Sequence, residues 1–326
     1  MHRNFRTWIS MVIVALAGLS MPARAQPDMD VAQPKNLTQE YLLKNHATPA
    51  SDFAYLNGTM VHYRVDGQGP TILLLHGSMQ DLYDWDDWVD VLSSDYRVVR
   101  MDLPGAGLTG SVSTGDYSID NTMKTVDALM DKIGARRFAL VGTSLGGVVA
   151  FRYASTRRDR VAALILMNAA GVEYGNEKIL PPQPQRYHES LSNDLSRGQV
   201  ETLLRAVYVD PDKVAPSRIE RGFEYQRRLH RDDEAKAIVS AYDRGQPDVV
   251  LGRITAPTLV LWGGANRALD PKVADEFVSM LTSTAKVEKV VVPGTGHWMH
   301  VEAPSKSVVP AKAFFDRRFS VGCKEE

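Results

Sequence analysis

From Phe53 onward the chain alternates between short apolar runs and amphipathic stretches. The series opens with "FAYLNGTMVHYRV", two alternating runs flanking Asn57-Gly58. That dipeptide adopts positive φ readily and predicts a two-residue hairpin turn. Apolar runs then recur at 71–75 (TILLL), 97–101, 137–141, 162–167, 257–262 and 287–292. Runs this short, with few polar interruptions, read as strands buried on both faces. Between them "WDDWVDVLSS", "IDNTMKTVDALMDKI" and "VADEFVSML" place their apolar residues at helical spacing. The alternation predicts an α/β fold with a mostly parallel central sheet flanked by helices.

The alternation breaks once. Between about Val172 and Arg253 there is no comparable strand run, only helix-like stretches such as "RGQVETLLRAVYV" and "PSRIERGFEYQRRLHRDDEAKAIVSAYD". "PPQPQ" (181–185) reads as a rigid entry loop, and "RRLHRDDE" as a solvated helix face. A helical insertion of this size between two late strands is large enough to form a lid. The expected order is a lead-in at 26–51, core at 52–171, helical cap at 172–253 and core again at 254–326.

The first 25 residues stand apart. A basic "MHRNFR", an apolar "TWISMVIVALAGLSM" and the small-x-small "ARA" (23–25) have the layout of a secretory signal peptide cleaved before Gln26. The apolar run is short for a span of ~20 residues. Export to the periplasm or the medium is therefore expected, with no stable membrane anchoring after cleavage. Losing Arg3, Arg6 and Arg24 takes three positive charges from a formal net of −1, leaving −4. Neither value suggests a nucleic-acid partner. Cys323 is the only cysteine, so no intrachain disulfide can form and stability must come from the core, which a 44% hydrophobic content can supply.

Chemistry concentrates at the ends of the predicted strands. "LVGTSLGG" (140–147) follows an apolar run and opens a helix, so Gly142-Thr143-Ser144-Leu145-Gly146 is a G-x-S-x-G sequence in the context that gives it meaning. A sharp turn there would lift Ser144 above the sheet edge as a nucleophile. "LLLHGS" (73–78) ends another strand. The backbone N–H groups of Ser78 and Leu145 are the expected oxyanion hole. His297, on the glycine-rich loop "VVPGTGHWMHVEAP", is the expected base; His300 is its neighbour and competitor, and His76 reads as a turn residue. Trp298 is a candidate substrate-pocket wall. Tyr174, Tyr187, Tyr208, Phe223, Tyr225 and Tyr242 either line a pocket or pack the cap. No Cys/His cluster at zinc spacing, H-E-x-x-H pair or P-loop lysine occurs, so neither a metal nor an organic cofactor is expected.

Taken in order, "HGS", "DLPGAG" (102–107), "VGTSLGG", "LWGGANRALDP" and "GTGHWMHVEAP" resemble the α/β-hydrolase fold superfamily, in its cap-bearing serine hydrolase branch of esterases, enol-lactonases and carbon–carbon bond hydrolases. The resemblance spans about Thr71 to Pro304. It implies a serine hydrolase acting on an ester, thioester or lactone of a small-molecule substrate, with a carbon–carbon hydrolase or a peptidase as alternatives. Asp102 would be a loop-shaping residue.

The departure is at the catalytic acid. The family's W-G-x-x-D pattern puts it at Asn266, and the other customary position holds Asn168. Three readings stay open: an acid relocated to Asp270, or more distantly to a carboxylate such as Glu173; an Asn266 whose amide oxygen accepts the imidazole Nδ1–H; or a binding protein that has given up hydrolysis.

Overall fold

The computed structural model describes residues 35–173 and 195–319. The expected signal peptide, the "PPQPQ" loop, Tyr174, Tyr187 and Cys323 lie outside them.

Eight strands form one sheet. The hairpin β1 (Asp52–Leu56) and β2 (Thr59–Asp66) turns at Asn57 and Gly58, both at positive φ, and both of its pairings are antiparallel. The other strands are β3 (Thr71–Leu75), β4 (Arg97–Met101), β5 (Phe138–Ser144), β6 (Val161–Ala169), β7 (Thr258–Gly263) and β8 (Val287–Val292). They pair in parallel, in the spatial order β1-β2-β4-β3-β5-β6-β7-β8.

The central parallel strands are covered on both faces and largely apolar, and they feed two cores alternately. Leu73, Leu75, Phe138 and Leu140 enter one cluster; Ile72, Leu74, Ala139 and Val141 enter the other. Helices α1 (Gln39–His46), α2 (Asp86–Leu92), α3 (Ile119–Lys132) and α4 (Leu145–Thr156) precede β6. The α3 stripe of Met123, Val126, Leu129 and Met130 closes the first core, and Ser118 caps its start by accepting the Asn121 N–H.

Between β6 and β7 the described residues form α5 (Arg197–Ala206), α6 (Pro216–Gln226), α7 (Arg231–Ser240) and α8 (Pro247–Gly252). The stretch read as one long helical pattern is in fact two helices. It breaks at His230 (φ 67°), where the Arg228 guanidinium turns inward to the carbonyls of Gly105 and Gly107. Val200, Leu204, Tyr208, Ile219 and Phe223 pack together over Trp298, and the Arg218–Asp84 and Arg221–Asp81 ion pairs fasten α6 to the loop after β3. The last helices are α9 (Val273–Met280), α10 (Met299–Glu302) and α11 (Pro304–Phe319). No described helix is long and apolar enough to cross a membrane.

Candidate active site

The serine, histidine and asparagine positions singled out in the sequence fall at the carboxyl edge of the parallel strands, where ligands of open α/β sheets bind. His76 and Ser78 follow β3, Ser144 ends β5, Asn168 lies in the last turn of β6, Asn266 follows β7 and His297 follows β8.

Ser144 sits at φ 51°, ψ −118°, a conformation that costs an L-residue ~1–3 kcal/mol and persists only under surrounding constraint. The constraint is close packing. A Cβ on Gly146 would lie 2.4 Å from the His76 carbonyl oxygen and 2.5 Å from that of Leu75, so only glycine lets α4 start against the end of β3. The β3 loop returns the contact: a Cβ on Gly77 would stand 2.8 Å from the Ser144 Cβ. The turn carrying Ser78 and the turn carrying Leu145 are thereby pressed together at the serine.

Gln80, which sequence reasoning missed, holds the first turn. Its amide oxygen accepts the Gly77 N–H (2.8 Å), and its NH2 donates to His300 Nε2 (3.0 Å). His300 is fully buried against the Trp85 ring, and burial drives its pKa far down. His76 donates from Nδ1 to the Gly77 carbonyl and accepts the Leu103 N–H at Nε2, which ties the two loops. Neither histidine offers a bare ring nitrogen: His76 Nε2 accepts the Leu103 N–H, and with Gln80 donating to His300 Nε2 the remaining His300 Nδ1 carries the proton and is buried without a partner.

His297 is 6% exposed, and burial holds its pKa down to about 4. Its loop is clamped: the His297 N–H donates to the Val207 carbonyl, and Asn168 donates to the carbonyls of Gly296 (3.1 Å) and His297 (2.8 Å) while accepting the Gly263 N–H. Asn168 is therefore a staple between β6, β7 and the histidine loop.

The partner of the imidazole is Asn266, and the contact has an unexpected polarity. Asn266 Nδ2 lies 3.2 Å from His297 Nδ1, while Asn266 Oδ1 accepts the backbone N–H groups of Ala268 and Leu269 at 3.0 Å each. The amide thus offers the ring a donor, which corrects the reading in which its oxygen accepts the Nδ1–H. The relocated acid is corrected too. Asp270 is exposed and accepts the Lys272 N–H (2.8 Å), a turn-capping role that leads the chain into α9. Glu173 is engaged in an ion pair with Arg244.

Beside the elbow lies a cavity of about 60 Å³ whose lining includes Ser78, Leu145, Tyr117, Ile238, Tyr242 and Arg231. Of the cap aromatics, Tyr242 meets this cavity, Tyr225 meets a smaller one of about 30 Å³, and Tyr208 and Phe223 pack in the cap. Trp298 packs there as well, edge-on to Tyr208 with the Arg218 guanidinium over its ring, rather than as the pocket wall expected of it. Arg231 escaped notice because it sits in a run that reads as a solvated face. It is buried, donates to the Gly105 carbonyl, and shares Glu234 with Arg228, so two buried guanidiniums face one carboxylate. Burial, and then Arg228, push its pKa down to about 10. No cluster able to hold a metal ion occurs among the described residues.

A family model described as alpha/beta hydrolase fold matches residues 70–304. The monoacylglycerol lipase abhd6-B of Xenopus laevis is 29% identical over 252 residues, covering 74% of each chain. A 2-hydroxy-6-oxononadienedioate/2-hydroxy-6-oxononatrienedioate hydrolase of Paraburkholderia phymatum is 28% identical over 271 residues, 78% of this chain and 92% of its own. Among solved structures, a putative lipase of Acinetobacter baumannii superposes with a TM-score of 0.74 at 21% identity, covering 89% of this chain and 99% of that one.

Proposed function

Since the chain belongs to the alpha/beta hydrolase fold family, we propose that it is a serine hydrolase that cleaves a carboxylic ester, thioester or lactone through an acyl-enzyme on Ser144. In the first step the Ser144 oxygen bonds to the carbonyl carbon, its proton passes to His297 Nε2, and the alcohol or thiol leaves with that proton. In the second step water attacks the acyl carbon by the same route and frees Ser144. The N–H groups of Ser78 and Leu145 stabilise the charge on the carbonyl oxygen in both.

One observation carries this reading: the strained φ of Ser144, enforced by glycine contacts from two adjacent loops. Nothing in sheet packing requires a non-glycine residue in that conformation. The cavity favours a short acyl group, since about 60 Å³ accommodates only a few waters' worth of atoms at ~10–15 Å³ each. Arg231 in its wall favours a substrate with an anionic group away from the scissile bond. The test is labelling by a fluorophosphonate together with turnover of p-nitrophenyl butyrate. Both are expected of the wild type and neither of Ser144→Ala; labelling that survives the substitution rejects the assignment.

The Paraburkholderia relative keeps carbon–carbon cleavage as the alternative within the class. Asn266 favours a second reading, a small-molecule receptor on a hydrolase scaffold, in which ligand binds and no ester is turned over. We also place the protein outside the cytoplasm on the strength of its N-terminal 25 residues. A mature N-terminus at Gln26 in the periplasmic or culture fraction is the expected result.

A further inference from the structure

We propose that Asn266 is a tautomer lock: its NH2 group holds the proton of His297 on Nε2, so that the resting site presents Ser144 with a hydrogen-bond donor instead of a base. This rests on the reading of Ser144 as nucleophile and deepens it, by naming the residue that sets how fast that serine can react.

The orientation of the Asn266 amide is fixed by its neighbours. An asparagine side chain has one accepting end and one donating end. Here the backbone N–H groups of Ala268 and Leu269 both converge on Oδ1, so that end has to be the oxygen. Turning the amide over would set its NH2 against two N–H donors and leave both without an acceptor, at a buried position. The remaining end, 3.2 Å from His297 Nδ1, is therefore the donor.

A donor at Nδ1 needs a lone pair there. In a neutral imidazole one nitrogen carries the proton and the other accepts, and the hydrogen bond at one decides the other. With Nδ1 accepting, the proton is on Nε2, the only ring nitrogen left for Ser144. That nitrogen cannot take the serine proton in this state. Moving the ring proton to Nδ1 would confront two N–H groups across 3.2 Å. Adding a second proton is opposed by burial of the ring among neutral groups. Both routes to an active base start uphill.

The same geometry shows how little separates this site from a working triad. The amide and carboxylate are the same size and shape. A carboxylate at position 266 would keep accepting from Ala268 and Leu269 through one oxygen and would take the Nδ1–H through the other. Nε2 would then be bare. The converse substitution in a serine protease lowers kcat by about 10⁴ through the wrong tautomer. Asn266→Asp is accordingly expected to raise kcat on p-nitrophenyl butyrate by on the order of 10²- to 10⁴-fold, with KM changing far less, because position 266 touches the base and not the cavity.

The experiment compares wild type, Asn266→Asp, Ser144→Ala and the double variant on p-nitrophenyl butyrate. Alongside it, nitrogen NMR of histidine-labelled full-length protein is recorded, with His297 assigned by the signal lost in His297→Gln. The expected results are a protonated Nε2 and a bare Nδ1 in wild type, the reverse in Asn266→Asp, and a gain in kcat that Ser144→Ala removes. A wild-type spectrum with the proton on Nδ1 overturns the lock. So does an Asn266→Asp protein no faster than wild type when Ser144→Ala still silences both, and in that case the serine hydrolase reading survives. Turnover that persists without Ser144 rejects the hydrolase reading instead. If no protein turns over this ester, the wild-type spectrum alone decides the lock.

Discussion

Two buried histidines on one sheet edge make opposite use of the same chemistry. His62, on β2, has the complete relay: its Nδ1 lies 2.7 Å from Asp102 Oδ2 and its Nε2 2.9 Å from Ser51 Oγ. His297, on the loop after β8, meets an amide where such a relay has a carboxylate. Serine, histidine and aspartate in hydrogen-bonded sequence are thus present in this protein away from the elbow serine. Ser51 takes the Thr48 N–H, lies 3.1 Å from Tyr83 Oη and sits next to a ring stacked under Phe53. Its backbone is unstrained, whereas Ser144 is held at φ 51°. Asp102 in turn accepts the N–H groups of Leu82 and Leu108 and so fixes the loops after β3 and β4. What separates the two places is the strained serine at the elbow and the cavity beside it, and neither belongs to the relay of Ser51, His62 and Asp102.

The comparison predicts that stability depends on one site and rate on the other. Asp102→Ala leaves His62, two backbone N–H groups and their loops without a buried acceptor. A loss of about 3–5 kcal/mol is expected, as for other broken buried pairs, read as a fall in the urea midpoint. Asn266→Asp, an isosteric change that keeps both backbone hydrogen bonds and gives the new carboxylate an imidazole partner, should lower that midpoint much less than Asp102→Ala does. Equal losses at both positions would erase the distinction.

Gly77→Ala probes the oxyanion turn from outside. The added methyl would stand 2.8 Å from Ser144 Cβ and 2.9 Å from Gln80 Oε1, so the turn must shift away from the serine. Losing one well-placed oxyanion donor costs on the order of 10²- to 10³-fold in kcat, and a drop of that size is expected with modest loss of stability. A variant with wild-type kcat would show that Ser78 contributes no donor.

The pH profiles sharpen the contrast further. Burial holds His297 to about 4, against an ordinary 6.5, so the acid limb of kcat/KM in wild type should lie near pH 4. A carboxylate at position 266 favours the imidazolium and should move that limb upward by ~1–3 units. The sign for stability follows from the same shift. Between pH 6.5 and 4 the unfolded chain binds the proton that folded His297 refuses. Stability from this group is complete above 6.5 and declines as pH falls across the window. A limb that stays put in Asn266→Asp would place the new carboxylate out of reach of the ring.

Much of this was legible in the chain. Each apolar run became a strand, because strands in the middle of a sheet covered on both faces favour apolar residues. The elbow was legible for a local reason: Gly142, Ser144 and Gly146 act through a turn of five residues. What could not be read depends on contacts and backbone turns that no motif spells out. The relay of Ser51, His62 and Asp102 draws on three loops and strands with no shared motif. The burial of Arg231 follows from the break at His230, which interrupts an otherwise continuous helical pattern. The polarity of Asn266 was the least visible of all, since it is decided by two backbone N–H groups a few residues on. The sequence shows an amide at the acid position; only the fold shows which end of it faces the base.

Asp270 gives the smallest expected effect and a strict one. It is the carboxylate nearest in sequence to the vacant acid position, yet its side chain is spent on the Lys272 N–H at the surface. An amide oxygen can accept the same N–H, so Asp270→Asn should cost at most ~0.5 kcal/mol and leave kcat on p-nitrophenyl butyrate unchanged. Combined with Asn266→Asp it should leave the gained rate unchanged too, because the new carboxylate and not Asp270 meets Nδ1. A large loss of turnover from Asp270→Asn alone would mean that the loop Gly264–Pro271 rearranges during catalysis to carry Asp270 to His297. The amide contact at Asn266 would then describe a resting arrangement that turnover discards.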